Sequence, residues 1–388
     1  MTYRVAIVGT GNDPGERDRE GYAMAYRHAG GYERLDSCSL VACADIVREN
    51  AEAFADHHDL EAVYEDHETM LEGSEPDVVS VCVPPSVHAE LVIDCARAPS
   101  VDAIHCEKPM ATTWGDCRRM VEVCEDEDVQ LSIDHQRRFA EPARRAKALL
   151  DEGEIGELER LEWSEVNLFD AGSHLFDLCD FFLEGTRAEW ALAGIDCARE
   201  NRWFGTLNET RAIAQWRYAD GTLGFASTTE EGETLVDAYL RLVGTEGVIE
   251  IEPDDGPSLR LRTGDGWKRI ETDESIYGPK TGLLRSLLTK VSEAVPGVPE
   301  VEDPRPTHYE KAIEHVVESL STDSEPIISG RSVLSGTELA FACWESSRQR
   351  GRAHLPLDID DNPLEAMYEA GEFDVESDPP SIPGVNAE

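Results

Sequence analysis

Two short segments carry residue types suited to moving a proton beside a reactive carbon. Glu107-Lys108-Pro109 follows the apolar run Ala103–Cys106, which reads as a buried strand. A lysine at a strand end, held by the rigid proline after it, offers an ammonium to a substrate hydroxyl or carbonyl oxygen. It would stabilise alkoxide charge developing there. The competing reading is a Glu–Lys surface pair of small energetic weight. Asp170-Ala171-Gly172-Ser173-His174 sets a carboxylate and an imidazole at i, i+4, on one face if that turn is helical. Imidazole titrates near neutrality and suits a base that takes a hydroxyl proton as hydride leaves the carbon. Asp170 would orient the base or bind a neighbouring hydroxyl, and Gly172 would allow close approach of substrate or backbone. Asp177, one turn beyond His174, would orient it or cap the fold. A helix-starting aspartate with a buried, satisfied histidine is the plain structural alternative.

A third segment supplies a place for the hydride acceptor. An N-terminal strand runs straight into Gly9-Thr10-Gly11-Asn12. Glycines at a strand end let the backbone turn tightly and approach a pyrophosphate at a helix N-terminus. The GxGxxG pattern is broken, because Pro14 stands where its third glycine belongs; Gly15 or Gly21 would take that role after an insertion. Asp45 ends the run Leu40–Asp45, where an acid accepts hydrogen bonds from ribose hydroxyls or caps the helix that follows. The expected cofactor is NAD; Arg48 beside Asp45 leaves NADP open, since an arginine meets a 2′-phosphate. Pro84-Pro85-Ser86-Val87-His88 would pass under the nicotinamide half, with His88 equally suited to capping or to a helix surface.

Those segments need a scaffold, and the hydrophobic pattern supplies one. Up to residue 135, short Val- and Ile-rich runs (Arg4–Val8, Leu40–Ala44, Val78–Val83, Ala103–Cys106, Val129–Ile133) alternate with amphipathic stretches at 48–57, 87–97 and 113–125. Buried parallel strands with helices on both faces produce that alternation. The fold class is therefore α/β, a doubly wound Rossmann sheet over residues 1–135. From 136 to 357 the pattern becomes α+β, with a large open, mostly antiparallel sheet and helices on one side. Helices are expected at 142–152, 172–183, 281–295, 307–321 and 333–349, the last returning to the first domain. Residues 358–388 form an acidic tail without a core of its own, in which 364–368 would dock as a short helix.

Composition limits the classes of function. Lys+Arg is 35 and Asp+Glu is 80, a net charge of −45, and only six of the cations are lysine. No basic stripe is present for nucleic acid. No apolar run approaches the roughly 20 residues of a membrane span, and the chain begins as a strand with no signal peptide. An acidic surface for a cationic partner is one reading; acids spread along the whole chain favour adaptation to molar salt. The ten cysteines form no CxxC pair and read as buried thiols in a reducing cytoplasm. No metal site is read from the sequence; His57, His58 and His67 are expected on a solvated helix face.

Gly9-Thr10-Gly11, Asp45, Pro84-Pro85-Ser86-Val87-His88, Glu107-Lys108-Pro109 and Asp170-x-Gly172-x-His174-x-x-Asp177, in that order, resemble the glucose–fructose oxidoreductase / inositol dehydrogenase (Gfo/Idh/MocA) family over about residues 3–355. The resemblance implies NAD or NADP and a sugar, polyol or inositol-like substrate. It implies catalytic roles for Lys108, Asp170 and His174, and homo-oligomer contacts through the C-terminal sheet. Gln136-Arg137-Arg138-Phe139 resembles the cleft-lining segment after the fifth strand. Two other readings stay open: an NAD-dependent glycosidase or epimerase with retained cofactor, and a non-catalytic dinucleotide-binding sensor. The insertion at 12–20 and the acidic tail depart from the family pattern.

Overall fold

The computed structural model describes residues 2–12, 24–229, 235–279 and 305–373. The third-glycine alternatives, the helix expected at 281–295 and the end of the acidic tail lie outside these residues.

The first half builds one sheet from β1 (Tyr3–Val8), β2 (Cys38–Ala44), β3 (Ala62–Tyr64), β4 (Val78–Val81), β5 (Ala103–Cys106) and β6 (Gln130–Ile133). All pairings are parallel, in the order β3-β2-β1-β4-β5-β6. The strand order reverses between β1 and β4, and sheets of this kind bind ligands at that point, outside the carboxyl ends of the strands. Helices α1 (Met24–Glu33), α2 (Arg48–His57), α3 (His67–Ser74), α4 (His88–Ala96) and α5 (Trp114–Asp126) connect the strands. Their ends follow local chemistry: Asp66 caps α3 through the Thr69 N–H, and Thr113 caps α5 through the Asp116 N–H. Strand β3 escapes the sequence pattern, because three half-buried residues are too few to show a period. His58 is also displaced from expectation. Its side chain is packed beside Phe54 and Tyr26 and pairs with Glu33 at 2.7 Å, rather than lying on a solvated face.

After a short turn at Gln136–Phe139 and α6 (Glu141–Asp151) comes a second sheet. Its strands are β7 (Leu158–Glu165), β8 (Ala188–Asp196), β11 (Arg211–Tyr218), β12 (Leu223–Thr229), β13 (Ala238–Gly244), β14 (Val248–Pro253), β15 (Leu259–Thr263), β16 (Gly266–Arg269) and β19 (Ala353–His354). Two ribbons stand apart, β9 (Arg202–Trp203) with β10 (Thr206–Leu207), and β17 (Glu274–Ser275) with β18 (Gly278–Pro279). The sheet order is β16-β15-β14-β13-β7-β12-β11-β8-β19, and only the β7–β12 pair is parallel. Strand β11 alternates strictly between exposed and buried residues, as a sheet with one covered face requires. On the covered face, Trp163 and Trp216 pack against Phe176 of α7 (Ser173–Phe182), with ring centroids 5.0 and 5.2 Å away.

Two C-terminal helices join the halves. α8 (His308–Thr322) begins with a capping box between Thr307 and Glu310. It sets Ile313 and Val317 into the core around Ala25, Ala29 and Tyr32 of α1. α9 (Gly330–Gln349) packs on α7 and β8 and also reaches α5, where Phe341 lies 6.2 Å from Trp114. The start of the acidic tail docks through α10 (Pro363–Glu369), which buries Leu364 and Met367. Asn362 caps that helix and donates to the Thr112 carbonyl at 2.9 Å.

Candidate active site

The glycine turn is built by sterics. Gly9 has φ +85°, and a Cβ there would meet Val83 Cγ1 at 2.4 Å and the Cys82 carbonyl oxygen at 2.9 Å. Gly11 has φ +63° and open space where its Cβ would be, a cradle at the end of β1 that a pyrophosphate fits. Asp45 is engaged by the glycine turn itself. Its Oδ2 accepts from the Gly11 N–H at 3.0 Å and the Thr10 hydroxyl at 3.1 Å, and its Oδ1 accepts from the Val47 N–H at 2.8 Å. It thus fixes the glycine turn and begins the approach to α2; its remaining lone pairs are what it offers a ribose. Arg48 is tied to Glu52 at 2.7 Å and to Glu65 at 3.7 Å, so it points into an acidic pair. Asn12 and Pro84 are exposed at the same edge. His88, by contrast, is fully buried. Its Nε2 lies 2.8 Å from the Val83 carbonyl and its Nδ1 3.0 Å from the Pro109 carbonyl, which ties the β4 and β5 loops together. Burial lowers its pKa, and it is a scaffold residue rather than a cofactor contact.

Glu107 is buried, and its Oε2 accepts from the Lys108 backbone N–H at 3.2 Å. The Lys108 side chain leaves the first domain for the second. Its Nζ donates to the Asp170 carbonyl at 3.1 Å and lies 3.4 Å from Asp170 Oδ1. Asp170 sits in the turn before α7, not in the helix, so the expected helical pairing of Asp170 with His174 is replaced by a turn that leads into the first turn of α7, where His174 lies. Gly172 is required within that turn, because a Cβ would lie 2.5 Å from the Leu168 carbonyl oxygen and 2.7 Å from that of Asn167.

The turn is anchored from residues the sequence reading missed. Asn208 Oδ1 accepts from the Asp170 N–H at 3.3 Å. Glu209, fully buried, accepts from the Leu168 N–H at 2.6 Å, the Thr228 hydroxyl at 3.2 Å and Trp344 Nε1–H at 3.1 Å. Burial pushes its pKa up to about 7 against those three donors. Glu209 stands in the polar stretch Thr206-Leu207-Asn208-Glu209-Thr210, so no sequence signal marked it.

His174 is 3% exposed, and its Nδ1 has no hydrogen-bond partner. Burial holds its pKa well below the usual imidazole value, and the nearby cations Arg137 and Lys108, then His135 and His308, push the same way. It is therefore a neutral ring at pH 7. Asp177 does not orient it: Arg138 takes both Asp177 oxygens, at 2.7 and 2.8 Å. That bidentate pair is structural, closing the 136–139 turn onto α7. Arg137 reaches the Tyr239 hydroxyl and lies over the rings of Tyr239 and Tyr277, 5.1 and 5.3 Å from their centroids. Gln136 is buried with its Oε1 unpartnered. His308, whose pKa burial lowers to about 4, and His135, edge-on to His174 at 5.7 Å, complete the surroundings. Neither histidine carried a motif.

This turn-and-crevice arrangement has known counterparts. The profile of an oxidoreductase family's NAD-binding Rossmann fold matches residues 3–135, and that of the family's C-terminal alpha/beta domain matches residues 159–355. The chain belongs to the Gfo/Idh/MocA oxidoreductase family. Inositol 2-dehydrogenase of Rhizobium meliloti is 26% identical over 366 residues, covering 90% of this chain and 98% of that protein. A 2,7-anhydro-N-acetylneuraminate hydratase of Mediterraneibacter gnavus is 24% identical, covering 89% and 94%. An Agrobacterium radiobacter oxidoreductase, solved with NAD+, L-tartaric acid and magnesium, superposes with a TM-score of 0.70 at 19% identity over 91% of this chain and 98% of that one. The chain is thus an NAD-binding oxidoreductase, and among the described residues no helix is long and apolar enough to cross a membrane.

Proposed function

We propose that this enzyme oxidises a secondary alcohol carbon of a sugar, polyol or inositol-like substrate with NAD. The observation that carries the reading is Lys108 Nζ bound to the Asp170 turn, with neutral His174 in the same cleft. NAD accepts the hydride when bound; the Gly9–Gly11 turn and Asp45 would hold it. Lys108 donates to the substrate oxygen and stabilises alkoxide charge. His174 accepts the hydroxyl proton, and Asp170 positions the lysine. Arg137, Gln136 and the two tyrosines near Arg137 line the substrate side. A screen of sugars, inositols and sugar acids with NAD and NADP in molar KCl, read at 340 nm, tests this. Retained cofactor with product formed but no net absorbance change would replace it by transient oxidation, a route the resemblance to a hydratase makes specific. Dinucleotide binding without turnover of any substrate would leave a sensor.

The same reading includes two domains meeting near residue 135, a cytoplasmic setting that suits ten cysteines with no disulfide among them, and a surface adapted to molar salt. It also includes pairing of two copies across the open sheet face, where Ile213 and Leu223 stand 56% and 43% exposed. Light scattering in molar salt tests the pairing; a monomer would remove it.

A further inference from the structure

His28 on α1, His105 in β5 and Asp134 after β6 converge inside the Rossmann domain, with exposures of 0%, 0% and 1%. The ligand atoms of these three lie within 4.8 Å of one another. His28 Nε2 is 3.1 Å from Glu107 Oε1 and 3.5 Å from Asp134 Oδ2, and His105 Nε2 is 3.6 Å from Asp134 Oδ1. The last two separations exceed the roughly 2.7–2.9 Å of a charge-assisted N–H···O bond. Neither oxygen of Asp134 has a hydrogen-bond partner, and neither does His105 Nε2.

The outer edges of both rings rest on serine hydroxyls. Ser132 Oγ lies 2.9 Å from His105 Nδ1 and 3.2 Å from the Ile104 carbonyl oxygen. His105 Nε2 faces Asp134 with no hydrogen-bond partner of its own. His28 contacts Ser80 Oγ through Nδ1 at 2.7 Å, and its Nε2 faces two carboxylates. Asp134 Oδ1, Asp134 Oδ2 and His105 Nε2 are thus buried together without hydrogen-bond partners, which is costly unless a cation sits among them.

We propose that His28, His105, Asp134 and Glu107 form a buried tetrahedral site for one divalent transition metal of the zinc class. Zinc–nitrogen and zinc–oxygen bonds of about 2.0–2.2 Å put neighbouring ligand atoms about 3.3–3.5 Å apart at tetrahedral angles. The three observed contacts bracket that spacing. Two neutral imidazoles and two carboxylates balance a doubly charged ion, and two imidazoles select against calcium and magnesium. Ser80 and Ser132 supply the outer hydrogen bonds that orient metal-bound imidazoles. The ion would fix Glu107, whose other oxygen holds the Lys108 backbone N–H. It would therefore act on the lysine by position and take no part in the reaction.

A buried ion enters during folding. The full chain is produced with zinc present, washed folded with EDTA to strip surface ions, and assayed by elemental mass spectrometry. A second sample is unfolded and refolded in molar KCl with Co(II) and washed likewise. The expected results are about one equivalent of zinc per chain and the intense visible absorption of tetrahedral Co(II). His105→Leu and Asp134→Asn should each remove both signals. Folded wild-type chain with under about a tenth of an equivalent by both routes would overturn the site and leave two protons in the ion's place. Full metal content retained in both variants would overturn it as well. If either variant fails to fold, the two wild-type measurements decide alone.

Discussion

The Lys108 ammonium, at the end of a Rossmann strand, is held 3.1 Å from the backbone carbonyl of Asp170 and 3.4 Å from its carboxylate, in the second domain. Both side chains are about one-fifth exposed, so the pair remains within reach of solvent. A substrate hydroxyl can enter this hydrogen-bond geometry by displacing the carboxylate contact while the carbonyl keeps the lysine aimed.

Lys108→Ala should therefore lower kcat by ~10²-fold or more, the magnitude typical of losing one stabiliser of developing oxyanion charge. NADH affinity, read by fluorescence titration, should change far less. Near-normal turnover in the variant would remove Lys108 from the reaction.

The pH profile follows from His174. Its pKa is displaced well below 6.5, by burial first and by Arg137 and Lys108 next. A base with a lowered pKa stays neutral, and so competent, further into acid. The rising limb of kcat/KM should thus lie below pH 6.5, with a plateau through neutrality. His174→Asn should abolish the limb together with much of the rate. A limb that survives in the variant would belong to another group.

Cofactor preference should favour NAD. Asp45 is fixed by three donors beside the turn, and Arg48 is engaged by Glu52 and Glu65. A 2′-phosphate there would meet three carboxylates and no unpaired cation supplied by Arg48. The ratio of kcat/KM for NAD to that for NADP should exceed one; the reverse ratio would mean that a cation elsewhere governs the choice.

Glu209→Gln tests the anchoring of the Asp170 turn. An amide group would turn N–H donors toward Leu168 N–H or Trp344 Nε1–H, which are donors themselves. One buried donor left unmet costs about 1–3 kcal/mol. The melting temperature should fall, and kcat should fall with it because Asp170 loses its fixed position. Unchanged melting and turnover would show that Glu209 does not anchor the turn.

Salt should matter to both folding and activity. The chain carries −45, and several of its arginines already pair with acids, among them Arg118 with Asp360 and Arg348 with Asp361. The Debye length is ~3 Å at 1 M salt and ~30 Å at 0.01 M, so the unpaired acids repel strongly only in dilute buffer. Thermal melts and activity across a KCl series should show losses below a few tenths molar. Equal values at low and molar salt would require another explanation for the acidity.

The sequence by itself determined the layout. Alternating apolar runs and amphipathic stretches gave the parallel sheet, because a strand buried on both faces and a helix buried on one leave different periods in the chain. Composition and turn chemistry placed Gly9, Lys108, Asp170 and His174 at element ends. Tertiary structure decided which groups meet. Asp177 pairs with Arg138 and not with His174. His88 joins Val83 to Pro109 inside the domain. His28, His105 and Asp134 come from three separate elements. Period reports only which face of an element is buried. The partner waiting in that interior is fixed by sheet order and helix docking, and these unite residues far apart in the chain, as α8 does in packing on α1.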